Sequence, residues 1–99
     1  MQGCFDAVVA SNDEIAVGAL KYAFKKELLV PEQLSIVGYN NSSVAIACEP
    51  ELTSIDNRVV DMCYRTVERL ISVIENNETD LEHKVVIACD LISRGTTEF

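Results

Sequence analysis

The sequence predicts an α/β fold built on a partial, doubly wound parallel sheet, and three observations carry that expectation. Short apolar runs such as FDAVVA (5–10) and LSIV (34–37) lack the polar alternation of a one-sided strand, which is how strands buried on both faces read. Stretches with apolar residues at helical spacing separate them. The resulting order, β-α-β-(short α)-β-α-β, alternates strand and helix as a parallel sheet requires.

FDAVVA is the first strand. Ser11 and Glu14 follow it in the S-x-x-E relation of a capping box, so a helix is expected from about Asn12 to Lys26. Ile15, Ala16, Ala19, Leu20, Ala23 and Phe24 give that helix a wide apolar face. Lys25 and Lys26 stand in its last turn, where the macrodipole favours cations. Residues 27–32 lead into a second strand around Leu34, Ile36 and Val37, bracketed by Pro31 and Gly38, and the crossover should be right-handed. Ser43 to Cys48 is expected to make one or two helical turns, ended by Pro50. Leu52 to Ile55 reads as a third short strand. Asp56 or Asn57 can cap a second long helix, whose apolar positions Val60, Cys63, Val67, Leu70, Ile71 and Ile74 recur at the helical spacing. A polar loop over 76–82 releases a final extended run, 85–92, closed by SRGTT and a frayed tail.

Composition narrows the function. At 99 residues the chain holds one domain at most, and its 48% hydrophobic content describes a globular protein without repeats or low-complexity tracts. No apolar stretch approaches the roughly 20 residues that cross a bilayer, and MQGCFD is not a basic-then-apolar leader. Sixteen acidic residues against eight basic ones give a net charge of −8, which repels phosphate backbones, so these residues are not expected to grip nucleic acid. Cys4, Cys48, Cys63 and Cys89 form no C-x-x-C pair, and His83 is near none of them in sequence. That spacing speaks against a metal site and for buried, reduced thiols in a cytosolic protein. Neither strand-to-helix turn carries a glycine-rich phosphate loop, and no Ser, Cys or carboxylate stands in a recognisable motif with a partnered base. Neither a cofactor nor catalysis is expected, and His83, between Glu82 and Lys84, reads as solvated.

Open α/β sheets bind small ligands beyond the carboxyl ends of their strands. The second strand ends on Gly-Tyr-Asn-Asn, so Asn40 and Asn41 are the first candidates. Both can also serve a turn that needs amides for its own backbone. The position of Asn40 directly off the strand favours ligand contact, and Asn41 is left to the turn. Asn12 and Asp13 can be explained by the start of a helix alone, with ligand contact as the alternative. Arg58, Arg65 and Arg69 read as a solvated helix face paired with Asp61 and Glu68.

In order and spacing, AVVASNDEIAVGAL, VPEQLSIVGYNN, PELTSID, the helix from Arg58 and LISRGTT resemble the carboxyl-terminal part of the effector domain of the LacI/GalR family of bacterial transcription regulators. The likeness runs from Asp6 to Thr97. It implies a periplasmic-binding-protein-like fold of two lobes, of which this chain is a fragment. Residues 1–57 would belong to the carboxyl lobe, 58–88 would cross to the amino lobe as a helix and a strand, and 89–99 would return. It also implies a small-molecule effector, a carbohydrate by class, a homodimer, a cytoplasmic location and no membrane partner. DNA would be contacted only through an amino-terminal helix-turn-helix domain with no counterpart in these residues.

The resemblance also places site residues. Asn12 matches a position whose side chain can meet a sugar hydroxyl, and Asn57 lies at the lobe crossing, where it can face the cleft or serve as cap or hinge. Asn40 matches a position that is commonly an aspartate. An amide donates as well as accepts and carries no charge, so a neutral site with an altered hydroxyl pattern follows. Val17, Leu20, Val44 and Cys48 would form the subunit contact, although Val17 and Leu20 can equally pack on the sheet. Cys63 stands where the family usually has glycine. The implied mechanism is linkage, in which effector closes the lobes and operator affinity changes by the differential affinity of the two states. A sugar-binding protein of a transport system shares the fold, but LISRGTT and four unpaired cysteines favour a regulator.

Overall fold

The computed structural model of the chain describes residues 6–76 and 85–98. Its elements follow the expected order: β1 (Ala7–Val9), α1 (Asp13–Lys25), β2 (Ser35–Tyr39), α2 (Ser43–Ala47), β3 (Thr53–Asp56), α3 (Val59–Asn76) and β4 (Asp90–Ile92). Cys4, Phe5, His83 and all of the polar loop after Asn76 lie outside the described residues.

The sheet runs β1-β2-β3-β4. β1 pairs with β2, and β2 with β3, in parallel, with Val8 opposite Ile36 and Val37 opposite Thr53. The parallel order expected from the strand-helix alternation is found across β1, β2 and β3, and the edge strand β4 is antiparallel to β3, with Ile55 opposite Leu91. The extended run also shrinks. Residues 85–89 form no strand, because among the described residues they have no neighbour to bond, and an extended chain without a ladder is not a strand.

β2 is central, and Leu34, Ile36, Val37 and Gly38 are all buried, as its apolar run requires. α1 turns Ala16, Leu20 and Ala23 onto Leu34 and Ile36, with Ala45 of α2 and Leu52 completing the core. The alanines let the helix approach the sheet closely. Asn12, not Ser11, caps α1: its Oδ1 accepts from the Ile15 amide at 2.8 Å, the Ncap-to-N3 bond of a capped helix. At the other end Leu28 N donates to Ala23 O at 2.8 Å and Glu27 N to Phe24 O at 3.1 Å, a Schellman closure with Glu27 at a φ of 59°.

The SRGTT segment that closes the run is tied into the sheet. Thr96 and Thr97 are buried, and they stitch β2 to the start of β3. Ile36 N donates to Thr96 O at 3.0 Å, Thr96 Oγ1 donates to Ile36 O at 2.6 Å, and Thr53 N donates to Thr96 Oγ1 at 2.9 Å. The Thr53 and Thr97 hydroxyls bond at 2.8 Å. Two short β-branched hydroxyl residues thereby supply the donors and acceptors that a missing stretch of strand would have supplied.

α3 has the predicted apolar spacing but not a buried face. Val60 is 75% exposed, Ile74 71% and Val67 54%, and no α3 side chain described through Glu75 is buried. Neither Asp56 nor Asn57 is its N-cap. Asp56 Oδ1 accepts from Arg58 N at 2.9 Å, one turn of chain earlier, and Arg58, at a φ of 54°, accepts the first helical bond from Met62 N. Of the expected charge pairs, Arg65 meets Asp61 at 3.5 Å. Cys48, Cys63 and Cys89 are free, but Cys63 and Cys89 are exposed and not buried as predicted. No described helix is long and apolar enough to cross a membrane.

Candidate functional site at the carboxyl ends of the strands

The parallel strands β2 and β3 deliver two segments to the same end of the sheet: the 40–42 turn and the 56–58 turn. Asn40 and Asn41 have φ angles of 101° and 48°, a conformation that non-glycine residues rarely adopt and that asparagine tolerates best. Each successive backbone N–H of the turn is held by a different group. Asn40 N donates to Ile55 O at 2.8 Å, Asn41 N to Ser54 Oγ at 2.9 Å and Ser42 N to Asp13 Oδ2 at 2.7 Å.

Asp13 lies beneath this turn, fully buried. Its Oδ2 also accepts from Ser42 Oγ at 2.8 Å and its Oδ1 from Ser54 Oγ at 2.7 Å. Burial alone would push this carboxyl up. The Ser54 hydroxyl, the Ser42 amide and hydroxyl and the Tyr39 backbone outweigh that and hold it below the ordinary 3.8. The carboxylate also explains Gly38. A Cβ there would lie 2.2 Å from Asp13 Oδ1 and 2.8 Å from Leu52 Cδ2, so glycine is needed for close approach.

Above this base, Asn57 Nδ2 donates to Asn40 Oδ1 at 2.8 Å. The pairing joins two of the three predicted ligand residues and leaves Asn40 Nδ2 as a donor at the surface. Asn57 Oδ1 is buried without a hydrogen-bond partner. An open cleft of about 590 Å³ adjoins the pair, lined by Asn40, Asn41, Asp56, Arg58, Asp61 and Tyr64 among others. Asn12 is not part of that wall. Its Oδ1 is committed to the cap of α1, beside the end of β1. Asn41 does more than serve its own turn, because Arg94 Nη2 donates to its Oδ1 at 2.6 Å.

The predicted subunit residues separate. Val17, Leu20 and Cys48 line one groove of about 660 Å³ with Tyr22, Phe24 and Glu49. Leu20 is 8% exposed and belongs to the core, whereas Phe24 is 85% exposed. Val44 is half-buried and does not line that groove. Among the described residues no cluster of His, Cys, Asp and Glu can hold a metal ion.

Asp13, Ser42, Ser54 and Arg94 were not singled out from sequence as site residues. For Asp13 a signal existed: it falls on the same helical face as Ala16, Leu20 and Ala23, the buried face of α1. An acidic residue on such a face needs donors from elsewhere in the fold. Nothing comparable marks Ser42 or Ser54, and the partners of Arg94 lie 42 and 53 positions away.

Residues 3–97 match the periplasmic binding protein-like domain. An HTH-type transcriptional regulator of Lachnoclostridium phytofermentans is 43% identical over 96% of the chain, and the chain spans 28% of that relative's length. Among solved structures, the complex of the transcriptional regulator CelR with cellobiose superposes with a TM-score of 0.85 at 30% identity, covering 92% of this chain and 28% of that one. A LacI-type transcription regulator from Bifidobacterium animalis gives 0.85 at 28% identity, covering 95% and 33%.

Proposed function

The chain belongs to the periplasmic binding protein-like domain family of LacI-type transcription regulators, and from that premise we propose that it senses a small-molecule effector, a carbohydrate by class. What carries the reading is the Asn40–Asn57 amide pair at the carboxyl ends of two parallel strands, opening on a cleft. The cellobiose held by the similar regulator supports the effector class. Asn40 Nδ2 donates to a ligand hydroxyl and Asn57 supplies a further amide contact when the site is occupied, whereas Asn12, its Oδ1 committed to the cap of α1, has only its Nδ2 to offer a ligand from beside the end of β1. The three amides are neutral and both donate to and accept from hydroxyls, which suits a polyol, and the Asp56, Arg58 and Asp61 side chains that line the same cleft can bond hydroxyls as well. Sensing makes and breaks no bond, and the similar proteins are named transcriptional regulators, which favours this reading over a catalyst and over transport.

Titrating a panel of neutral sugars, cellobiose included, into wild type and Asn40→Ala tests this. The variant is expected to lose roughly tenfold in affinity, the worth of one or two neutral hydrogen bonds. Equal affinity would remove Asn40 from the site.

Three further assignments accompany this reading. Residues 58–88 cross to an amino lobe, which the exposed apolar stripe of α3 supports. The protein acts in the cytoplasm, with DNA contacted by an amino-terminal domain outside these residues; fusing that domain to the chain and measuring operator binding checks this. Two copies associate through the groove beside α1, with Val17 and Cys48 in the contact and Leu20 beneath it. Phe24→Asp puts a charge on that surface without touching the core. Sedimentation should show a shift towards monomer at unchanged melting temperature, and an unaltered profile would exclude this face.

A further inference from the structure

We propose that Arg94 is a positioning residue for the effector site: acting through Asn41, it fixes the direction in which the Asn40 amide leaves β2. This rests on the reading of Asn40 as an effector contact. Two consecutive non-glycine residues at positive φ persist only where their surroundings over-determine them. The bonds from Ile55 O, Ser54 Oγ and Asp13 hold three backbone N–H groups, but none of them holds the Asn41 side chain. The guanidinium does.

Arg94 Nη2 donates to Asn41 Oδ1 at 2.6 Å, a short charge-assisted bond, while Nη1 donates to Leu52 O at 2.8 Å. The backbone N of Arg94 donates to Thr53 Oγ1 at 2.8 Å. The fork is thus anchored at the start of β3 and reaches the turn that ends β2. A lysine ammonium can meet one of these acceptors but lacks the rigid planar fork that meets both. With the Asn41 side chain held from outside the turn, the segment that carries Asn40 is tied at one more point, and Asn40 Oδ1 accepts from Asn57 Nδ2 at 2.8 Å.

Asn57 therefore reports the aim of Asn40 without any effector present. Its side-chain amide resonances, with their exchange rates, are measured in the wild-type chain and in Asn41→Gly, Asn41→Asp, Arg94→Lys and Asn40→Ala. Glycine accepts the Asn41 backbone angle without cost, so the turn stays accessible while the link to Arg94 is gone. Asn41→Gly and Arg94→Lys should move the Asn57 amide towards its position in Asn40→Ala and speed its exchange roughly tenfold. Asn41→Asp keeps an acceptor for the guanidinium and should retain the wild-type signals. Wild-type Asn57 signals in Asn41→Gly would overturn the proposal. Failure of the sugar titration leaves this spectrum unaffected, so the two readings fail separately.

Discussion

Gly38→Ala is expected to lower the stability of the chain by about 3 kcal/mol, the upper range for overpacking a filled core. The new methyl would sit 2.2 Å from Asp13 Oδ1 and 2.8 Å from Leu52 Cδ2. Leu52 is fully buried and has nowhere to retreat. Asp13 can retreat only by giving up the Ser54 hydroxyl, which in turn holds the Asn41 amide. The cost therefore reaches the asparagine turn as well as the core. Urea unfolding measures it as a lower midpoint at unchanged slope. An unmoved midpoint would mean that the Asp13 carboxylate shifts freely. Because the two residues touch, Gly38→Ala should cost less in an Asp13→Ala background than in wild type.

Asp13→Ala should cost about 3 kcal/mol by itself, since it leaves the fully buried Ser54 hydroxyl and the half-buried Ser42 amide and hydroxyl without their acceptor. The same carboxylate makes stability depend on pH. Its folded pKa lies below the ordinary 3.8, so the folded state favours the ionised form. Its contribution is fully present above the unfolded value and is lost as pH falls through the lowered folded one. Asp13→Asn has no such proton to bind. The stability gap between wild type and Asp13→Asn should be constant at neutral pH and close progressively in acid below about pH 4. A gap independent of pH down to full acid unfolding would show that the carboxylate gains nothing from its three serine donors.

Most of the fold was legible because it rests on local pattern. The apolar run at 34–37, the helical spacing of Ala16, Leu20 and Ala23, and the strand-helix order each need only neighbours in sequence. The asparagine turn was legible for the same reason, as polar residues directly off a strand. The cap of α1 missed by one residue, because Ser11 and Asn12 are both good caps and only the chain's exit from β1 selects between them.

Sequence by itself determined the fold class, the family likeness through the order of its motifs, and the asparagine turn at the end of β2. Tertiary structure decided the antiparallel return of β4, the burial of Thr96 and Thr97, the exposure of α3, and the network of Asp13, Ser42, Ser54 and Arg94 around the asparagine turn. The physical reason is the range of the interactions. Periodicity records which face of an element is apolar, whereas the buried Asp13 carboxylate and the half-buried Arg94 guanidinium are held by donors and acceptors that arrive from 29 to 53 positions away and leave no spacing to read.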